Sequence, residues 1–253
     1  MAQDVDGPVL APFDGADLDR LYAHAPGTLR VNFVVGLDGS VAIGGRSGPL
    51  GGPPDQELLG VLRAQADVVL VGAGTVRRER YGPAWLSSRR QPARAARGQE
   101  PLPAVAVVTA SAELDPASRL FAERRPDQPA PPRPVVITCA AAPPERVERL
   151  AGVAQVVVAG DAEVDLAAAL GALGRDRKVL CEGGPRLLGD LLGAGLVDEL
   201  CITHAAVLAG AGAPTLLGAS RWEPPEPARF RAAHVLSADG MLMARWVPRG
   251  TVG

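Results

Sequence analysis

The chain has 253 residues, of which 47% are hydrophobic and 21% charged, and its formal net charge at pH 7 is −2. This length suits one large domain, and the weak net charge gives no reason to expect a nucleic acid or a membrane surface as partner. No apolar run approaches the roughly 18 residues of a membrane span. The acidic N-terminus is not typical of a secretory signal.

Three cysteines, Cys139, Cys181 and Cys201, lie far apart in apolar runs. Their spacing fits neither a disulfide framework nor a zinc site. We therefore expect buried free thiols, no bound metal and a reducing, cytoplasmic location.

Strand-like and helix-like segments alternate along the chain, which predicts an α/β fold with a largely parallel sheet. Runs of β-branched residues predict strands at 28–36, 67–72, 104–110, 133–139, 154–160, 178–182 and 198–208. Apolar residues at helical spacing predict helices at 55–66, 165–174 and after Pro185, with Asp165 as an N-cap. The segment 228–248 reads as two extended runs around Ala-Asp-Gly, a hairpin at one edge of the sheet.

The segments between these elements define the expected organisation of the chain. One domain is expected over 28–248, after an N-terminal extension at 1–27. The Gly/Pro-rich segment 44–54 and the arginine-rich segment 83–103 are expected to be mobile, the second as a solvated helix and loop.

The first glycine-rich turn lies in VLVGAGTVRRER, where a strand runs into Gly72 and Gly74. A helix is expected to start at Thr75, followed by Arg77 and Arg78. Glycines let a backbone approach a ligand closely, and phosphate suits the free N–H groups of a helix start. The pattern lacks the third glycine of a dinucleotide fingerprint, so plain turn chemistry stays open.

The second glycine-rich turn lies in KVLCEGGPRLLGDLL, where a strand ends at Glu182 and a helix follows Gly183 and Gly184. Pro185 suits the first turn of that helix. Ligands of open α/β sheets bind outside the carboxyl ends of the strands. Two such turns therefore indicate a ligand with several phosphates, for which a dinucleotide is the natural candidate.

Two carboxylates follow predicted strands and are candidate catalytic groups. Glu182 ends a buried strand, where it must be paired or hydrogen-bonded, so a structural role and a ligand-facing role both stay open. Asp38 lies in Leu-Asp-Gly, where a turn role is the alternative. The glycine-rich continuation after Asp38 is a candidate flap over a ligand.

The segments VVGLDGSVA, LRAQADVVLVGAGTVR and EGGPRLLGDLLGAGLVDEL, in this order, resemble the C-terminal reductase domain of the riboflavin-biosynthesis protein RibD. The resemblance runs from about residue 28 to 247. It implies a dihydrofolate reductase-like, three-layer α/β/α fold, with a mostly parallel central sheet that ends in an antiparallel C-terminal hairpin. It also implies a homodimer, for which the GLVDEL run and the strand after it are a candidate edge, and a cis peptide bond is possible between the two glycines of EGGP.

The same resemblance implies NADPH-dependent reduction of 5-amino-6-(5-phosphoribosylamino)uracil, with hydride passing to a ribosyl C1 in imine form. Together with the glycine-rich turns, it places the cofactor against Val35, Gly72, Thr75, Arg77, Glu79, Ser111, Gly183, Gly184, Pro185, Arg186, Leu187 and Leu188. It assigns Ser47, Arg63 and Glu182 to the substrate. Asp38 and Glu182 are the candidates to supply the proton.

The chain departs from the family pattern after GTVR, where an arginine that holds the substrate phosphate is missing. Arg89 and Arg90 are candidates to replace it, and the spacing does not decide between them. This departure keeps two alternatives open, a dihydrofolate or pterin reductase of the same fold and a non-catalytic NADPH-binding protein.

Overall fold

The computed structural model describes residues 9–13 and 17–249. It confirms the predicted α/β class with one ten-stranded sheet, in the order β1-β9-β10-β8-β2-β7-β3-β4-β5-β6. The strands are β1 Val9–Pro12, β2 Leu29–Gly36, β3 Val68–Gly72, β4 Ala104–Val108, β5 Val135–Thr138, β6 Gln155–Val158, β7 Val179–Cys181, β8 Glu199–Ala205, β9 Phe230–Ala238 and β10 Met241–Pro248. The helices are α1 Leu18–Leu21, α2 Pro53–Gln65, α3 Ala73–Glu79, α4 Gln91–Ala96, α5 Arg119–Ala122, α6 Pro144–Ala151, α7 Leu166–Leu173 and α8 Pro185–Gly193.

The sheet is parallel from β8 through β2, β7, β3, β4 and β5 to β6, and the hairpin of β9 and β10 joins it antiparallel to β8. Asp239 and Gly240 both have positive φ in the hairpin turn, as the Asp-Gly pair predicts. The hairpin does not form the outer edge, because β1 pairs with β9 beyond it. Residues of the N-terminal extension therefore contribute a strand to the sheet.

The expectation that the strand after GLVDEL forms a dimer edge is wrong. This strand is β8, and both of its sides are already paired, one with β10 and the other with β2. A partner chain has no free strand edge to extend at this position.

Helices cover both faces of the sheet and make the three predicted layers. Along β3, Val68 and Leu70 pack in one apolar cluster that includes residues of α7 and α8. Val69 and Val71 point the other way, into a cluster with residues of α3 and α6. This alternation along one strand, buried on both sides, explains why its sequence is continuously apolar. The three cysteines are free and buried, as predicted.

Two predictions of local structure are corrected. The helix expected to start at Thr75 begins at Ala73, with Gly72 as its N-cap, so Thr75 lies inside the first turn. The segment 83–103 is not only a solvated helix and loop, because Arg94 is 1% exposed. Its guanidinium donates to the carbonyl oxygens of Glu100 and Ala66, at 2.7 and 2.6 Å. Arg94 thereby closes the C-terminal end of α2.

A second buried cation network ties the N-terminal segment to the sheet. Arg30 is completely buried, and its Nε donates to Glu199 Oε2 at 2.7 Å. Arg245 donates to the other oxygen of Glu199 at 2.5 Å. Both arginines also donate to backbone carbonyls at residues 21–23, at the C-terminal end of α1. Within 9–13 and 17–249, no helix combines the length and the apolar character that a membrane span needs.

Candidate active site

A large cleft runs along the carboxyl ends of β2, β3, β4 and β7 and is closed by α3, α8 and the glycine-rich loop after β2. Its volume is about 1280 Å³. Pockets for a single small ligand typically occupy roughly 300–1,000 Å³. The cleft therefore has room for two ligands side by side, such as a dinucleotide and a substrate.

The two glycine-rich turns meet in the cleft, where Gly72 and Gly184 form one surface, called here the glycine cradle. The Gly72 N–H donates to the Gly183 carbonyl at 2.8 Å. The Gly183–Gly184 peptide bond is cis, as anticipated. A Cβ on Gly183 would lie 2.7 Å from Phe33 Cζ, and one on Gly184 would lie 2.9 Å from Thr75 Oγ1. A side chain at either position would therefore collide with a neighbouring residue, and Gly72 and Gly184 present bare backbone to the cleft.

The two arginines that follow Thr75 point to different parts of the cleft. The Arg78 guanidinium lies over the glycine cradle, with Nη2 3.6 Å from the position of a Cβ on Gly184. Arg77 reaches along the cleft to the turn after β4, where its Nη1 donates to the Glu113 carbonyl at 2.8 Å. Ser111, in the same turn, also lines the cleft. One cation therefore faces the cradle, and the other lies beside Ser111.

Glu182, directly after β7, forms the most buried ion pair of the cleft wall. The guanidinium of Arg63 donates to both carboxylate oxygens, each at 2.7 Å. The Tyr81 hydroxyl donates to Glu182 Oε2 at 2.6 Å. Burial opposes the charge of Arg63, but the Glu182 carboxylate outweighs it and raises the pKa of the guanidinium. Arg63 and Tyr81 therefore stabilise the carboxylate at the end of this buried strand.

The glycine-rich loop after β2 is held in place by α3. The Ser47 N–H donates to Glu79 Oε1 at 2.8 Å. Gly44 and Gly45 have positive φ in a tight turn that is closed by two backbone hydrogen bonds between Ile43 and Arg46. Ser47 and Glu79 both line the cleft, so this loop forms one of its walls.

Asp38 lies in a turn and is not one of the described residues that line the cleft. Its Oδ2 accepts from the N–H groups of Ala209 and Gly210, both at 2.8 Å, and its Oδ1 from that of Ser40 at 3.1 Å. The Ser40 side chain and these backbone N–H groups lower the pKa of Asp38 to about 2. An exposed carboxyl that stays ionised in this way is a poor proton donor at neutral pH.

Asp55, in the first turn of α2, is a cleft residue that the sequence did not reveal. Its half-buried carboxyl lines the cleft, and a Cβ on Gly51 would lie 2.7 Å from its Oδ2. Burial raises the pKa of Asp55, and the Thr203 hydroxyl offsets part of this effect. An acid in the first turn is common in helices, because it complements the helix dipole. Its sequence position alone therefore gave no sign of a cleft role.

The cleft brings together most of the residues that the sequence singled out. The predicted residues that line it are Ser47, Gly72, Thr75, Arg77, Glu79, Ser111, Glu182, Gly184, Pro185, Arg186 and Leu187. The described residues that line the cleft do not include five of the predicted ones, namely Val35, Asp38, Arg63, Gly183 and Leu188. Val35 and Leu188 belong to the apolar core. Gly183 accepts a hydrogen bond from the Gly72 N–H, and Arg63 donates to the Glu182 carboxylate.

A cleft over the strand ends and a glycine-lined strand-to-helix turn are typical of α/β proteins that bind nucleotides. Comparison with known proteins gives the family. Residues 27–240 match the RibD C-terminal domain. The chain belongs to this family, and the resemblance drawn from the motifs is confirmed.

Two curated relatives carry the name 2,5-diamino-6-ribosylamino-4(3H)-pyrimidinone 5′-phosphate reductase. The protein from Archaeoglobus fulgidus is 30% identical over 190 residues, which cover 74% of this chain and 84% of the relative. The protein from Methanothermobacter thermautotrophicus is 33% identical over 183 residues, 71% of this chain and 78% of the relative. The relatives are reductases, which agrees with the predicted oxidoreductase class.

Among solved structures, a pyrimidine reductase-like protein from Corynebacterium diphtheriae is similar at a TM-score of 0.78 and 31% identity, covering 88% of this chain and 92% of that one. A deaminase/reductase from Thermotoga maritima has a TM-score of 0.65 at 18% identity, over 89% of this chain and 57% of that one. The second likeness shows the shared fold. Both agree with the predicted mixed sheet and its C-terminal hairpin.

Proposed function

We propose that this chain is an NADPH-dependent reductase of a phosphoribosylaminopyrimidine, acting on 2,5-diamino-6-ribosylamino-4(3H)-pyrimidinone 5′-phosphate or on its uracil counterpart, 5-amino-6-(5-phosphoribosylamino)uracil. The observation that carries the proposal is the glycine cradle in a cleft with room for two ligands, in a chain of the RibD C-terminal family. The names of the two curated relatives support the choice of substrate.

The cleft fits a nicotinamide dinucleotide that bears a 2′-phosphate. Bare backbone at Gly184, the N-cap of α8, suits the pyrophosphate, because phosphate oxygens can approach the free N–H groups of a helix start closely there. Arg78 lies over the same surface and adds a positive charge. Arg77, beside Ser111, is placed to pair with the 2′-phosphate. NADPH would supply the hydride, and the protein supplies position and a sheltered site.

Reduction of the ribosyl imine needs a proton in addition to the hydride. Asp55 is the better candidate to hold this proton than Asp38, because burial favours the neutral form of Asp55 while hydrogen bonds favour the charged form of Asp38. Glu182 is already bound by a guanidinium and a phenol, so it is placed to orient the substrate rather than to donate. The proposed roles are thus Asp55 for the proton and Glu182 for orientation.

We also propose that the protein works in the cytoplasm as a homodimer. The free thiols of all three cysteines suit a reducing compartment. Leu37, Leu208 and Leu242 are 66%, 70% and 47% exposed. They lie near one another, since Leu37 N–H donates to Val207 O and Leu242 pairs with His204 at the same end of the sheet. Sedimentation velocity tests this proposal, and a single monomer species at micromolar concentration contradicts it.

The function is tested by following the loss of NADPH absorbance with three substrates in parallel, namely the diaminopyrimidine, its uracil counterpart and dihydrofolate. Turnover of either ribosyl phosphate in preference to dihydrofolate is the expected result. Preference for dihydrofolate would instead assign the chain to pterin reduction. Tight NADPH binding without turnover of any of the three would indicate a non-catalytic protein.

A further inference from the structure

The turn 109–113, directly after β4, forms one end of the cleft, where Ala110 and Ser111 line it. The Cys139 thiol joins this turn to the loop after β6, because it donates to the carbonyl oxygens of Ala110 and Ala162, at 3.5 and 3.4 Å. In the sheet, β3 lies between β4 and β7, so the turn is roughly 10 Å from the end of β7. This end of the cleft is therefore a separate place for a ligand group.

Two arginines from different helices contact the turn 109–113. Arg77, in α3, donates from Nη1 to the Glu113 carbonyl at 2.8 Å. Arg146, in α6, donates from Nη1 to the Ser111 carbonyl at 3.2 Å. The two acceptor residues are two positions apart, so their Cα atoms are at most about 7 Å from each other. Two guanidinium groups are therefore concentrated at one turn of the cleft.

Neither of these two arginines has a carboxylate partner. In the part of the chain that the structure describes, no ion pair includes Arg77 or Arg146. Glu113 and Glu145, their acidic neighbours along the chain, are exposed, and Glu163 lines the cleft from the loop after β6. Each arginine uses one of its five N–H groups on a carbonyl, and the other four have no acceptor among the described residues. Because like charges this close disfavour one another, the pair favours a bound anion.

The backbone of the turn adds hydrogen-bond donors to this charge. The carbonyl oxygens of Ala110, Ser111 and Glu113 all accept from side chains. The N–H groups of Ala110 and Ser111 have no acceptor within the described ranges, and Ala112, the next residue, has positive φ. Successive free N–H groups in such a turn form a concavity that binds anions. Ser111 therefore offers its N–H and its hydroxyl beside the two arginines.

We propose that the turn 109–113 binds the 2′-phosphate of NADPH, and that Arg146 is a positioning residue of this site that sets the preference for NADPH over NADH. Arg77 lines the cleft and contacts the phosphate directly. Arg146 holds the Ser111 carbonyl and adds the second positive charge. A phosphate monoester carries a charge of about −1.5 to −2 at pH 7, which two guanidinium groups match. This assignment rests on the proposed function, which takes NADPH as the cofactor.

The test uses two fragments of the cofactor that differ only in the 2′-phosphate, adenosine 2′,5′-bisphosphate and adenosine 5′-monophosphate. Their dissociation constants are measured by calorimetry, at low and at high salt, for the wild type and for Arg146→Gln, Arg146→Lys and Arg146→Met. Glutamine keeps a donor for the Ser111 carbonyl without the charge, and lysine keeps the charge. Arg149→Gln is the matched control, because Arg149 lies on the same helix, is exposed and donates to the Glu145 carbonyl. Thermal unfolding shows whether each variant keeps its fold.

The ratio of the two dissociation constants is the readout, because a purely structural role of Arg146 would weaken both fragments equally. We expect Arg146→Gln to weaken the bisphosphate about threefold to tenfold and to leave the monophosphate unchanged, since one positive charge is lost near a dianion. Arg146→Met should lose at least as much selectivity, and Arg146→Lys should keep most of it. High salt should reduce these differences by screening the charges. Arg149→Gln should leave the ratio unchanged.

Equal weakening of both fragments in Arg146→Gln overturns the proposal, because Arg146 would then only hold the turn in place. An unchanged ratio in Arg146→Gln also overturns it, as does an equal loss of selectivity in Arg149→Gln, which would make the effect one of net charge. If Arg146→Met does not fold, Arg146→Gln decides the question.

The wild type separates this proposal from the proposed function. Wild-type protein that prefers the bisphosphate but reduces no pyrimidine refutes the reductase function and leaves the phosphate site intact. Wild-type protein that binds the two fragments equally, or binds neither, refutes the phosphate site. Turnover of a pyrimidine with NADH as readily as with NADPH would also refute the site, and it would keep the reductase function.

Discussion

Replacing Gly184 by alanine should separate cofactor binding from stability. The backbone at Gly184 has φ −81°, which alanine adopts freely. The new Cβ would lie 2.9 Å from Thr75 Oγ1, about 0.5 Å short of ordinary contact, and this is relieved by turning the threonine side chain. That rotation costs about 0.5–1.5 kcal/mol, while the stiffer unfolded chain returns about 0.4–1 kcal/mol. The free energy of unfolding should therefore change by less than about 1 kcal/mol.

The same methyl group occupies the surface proposed for the cofactor pyrophosphate. The loss of one hydrogen bond to a charged group, about 1.5–3 kcal/mol, should weaken NADPH binding about 10- to 150-fold. Fluorescence titration of NADPH gives the dissociation constant, and urea unfolding without ligand gives the stability. Gly171→Ala is the matched control, because no atom lies within 4 Å of its Cβ position in the exposed face of α7. It should stabilise the protein by about 0.5–1 kcal/mol and leave NADPH affinity unchanged. Wild-type affinity in Gly184→Ala would refute the placement of the pyrophosphate against the cradle.

Three further predictions concern charged side chains. Arg77→Ala should weaken the binding of NADPH about threefold to tenfold without affecting that of NADH, whereas Arg78→Ala should weaken the binding of both. The reverse pattern in paired titrations would assign the 2′-phosphate to Arg78 and the pyrophosphate to Arg77. Burial raises the pKa of Asp55 in the folded protein, so the folded protein binds this proton more tightly than the unfolded chain does. The resulting stabilisation is fully present below the unfolded-state pKa of about 3.9 and is lost as the pH rises through the folded-state pKa. The Asp55→Asn variant should therefore be more stable than the wild type at pH 7. It should also slow turnover about 100-fold or more and remove the decline of kcat with rising pH. An unchanged pH profile of kcat would contradict the proposed role of Asp55. Arg94→Met should lower the free energy of unfolding by roughly 3 kcal/mol, because buried carbonyls at the end of α2 lose their hydrogen-bond donor. Arg89→Met, at an exposed arginine, is the control. If both variants lose the same stability, the contacts of Arg94 are not needed.

The sequence predicted the central strands well for a physical reason. Strands such as 67–72 and 104–110 are buried on both faces, so their residues are continuously apolar and β-branched. The turn after β7 was found because Gly183 has positive φ and no room for a side chain beside Phe33, so glycine is favoured there. Asp165 also caps α7 as predicted, by accepting from the Ala168 N–H at 3.0 Å.

The missed features depend on long-range contacts that no local pattern records. The edge strand β1 is only four residues long and lies in an acidic segment, so its pairing with β9 left no periodic signal. Arg30 and Arg94 look like any other arginine in an arginine-rich chain, yet both are buried with partners far along the sequence, Glu199 for Arg30 and Ala66 for Arg94.

The candidate site also combines residues that a local sequence pattern revealed with residues that only long-range contacts bring there. The residues of the glycine cradle were identifiable because their chemistry is local. The partners of Glu182 were not, since Arg63 and Tyr81 are 119 and 101 residues away from it in the chain. Asp55 was missed because a carboxyl in the first turn of a helix is common, and only its place in the cleft distinguishes it.

Hydride transfer from NADPH to the ribosyl carbon of an aminopyrimidine is the reaction proposed for this cleft. The most direct measurement is mass spectrometry of the product formed with NADPH deuterated at the transferred position of nicotinamide C4. The expected product is a ribitylaminopyrimidine phosphate that carries one deuterium at C1 of the sugar chain. A product without deuterium, or no reduced pyrimidine while NADPH is bound, would contradict it.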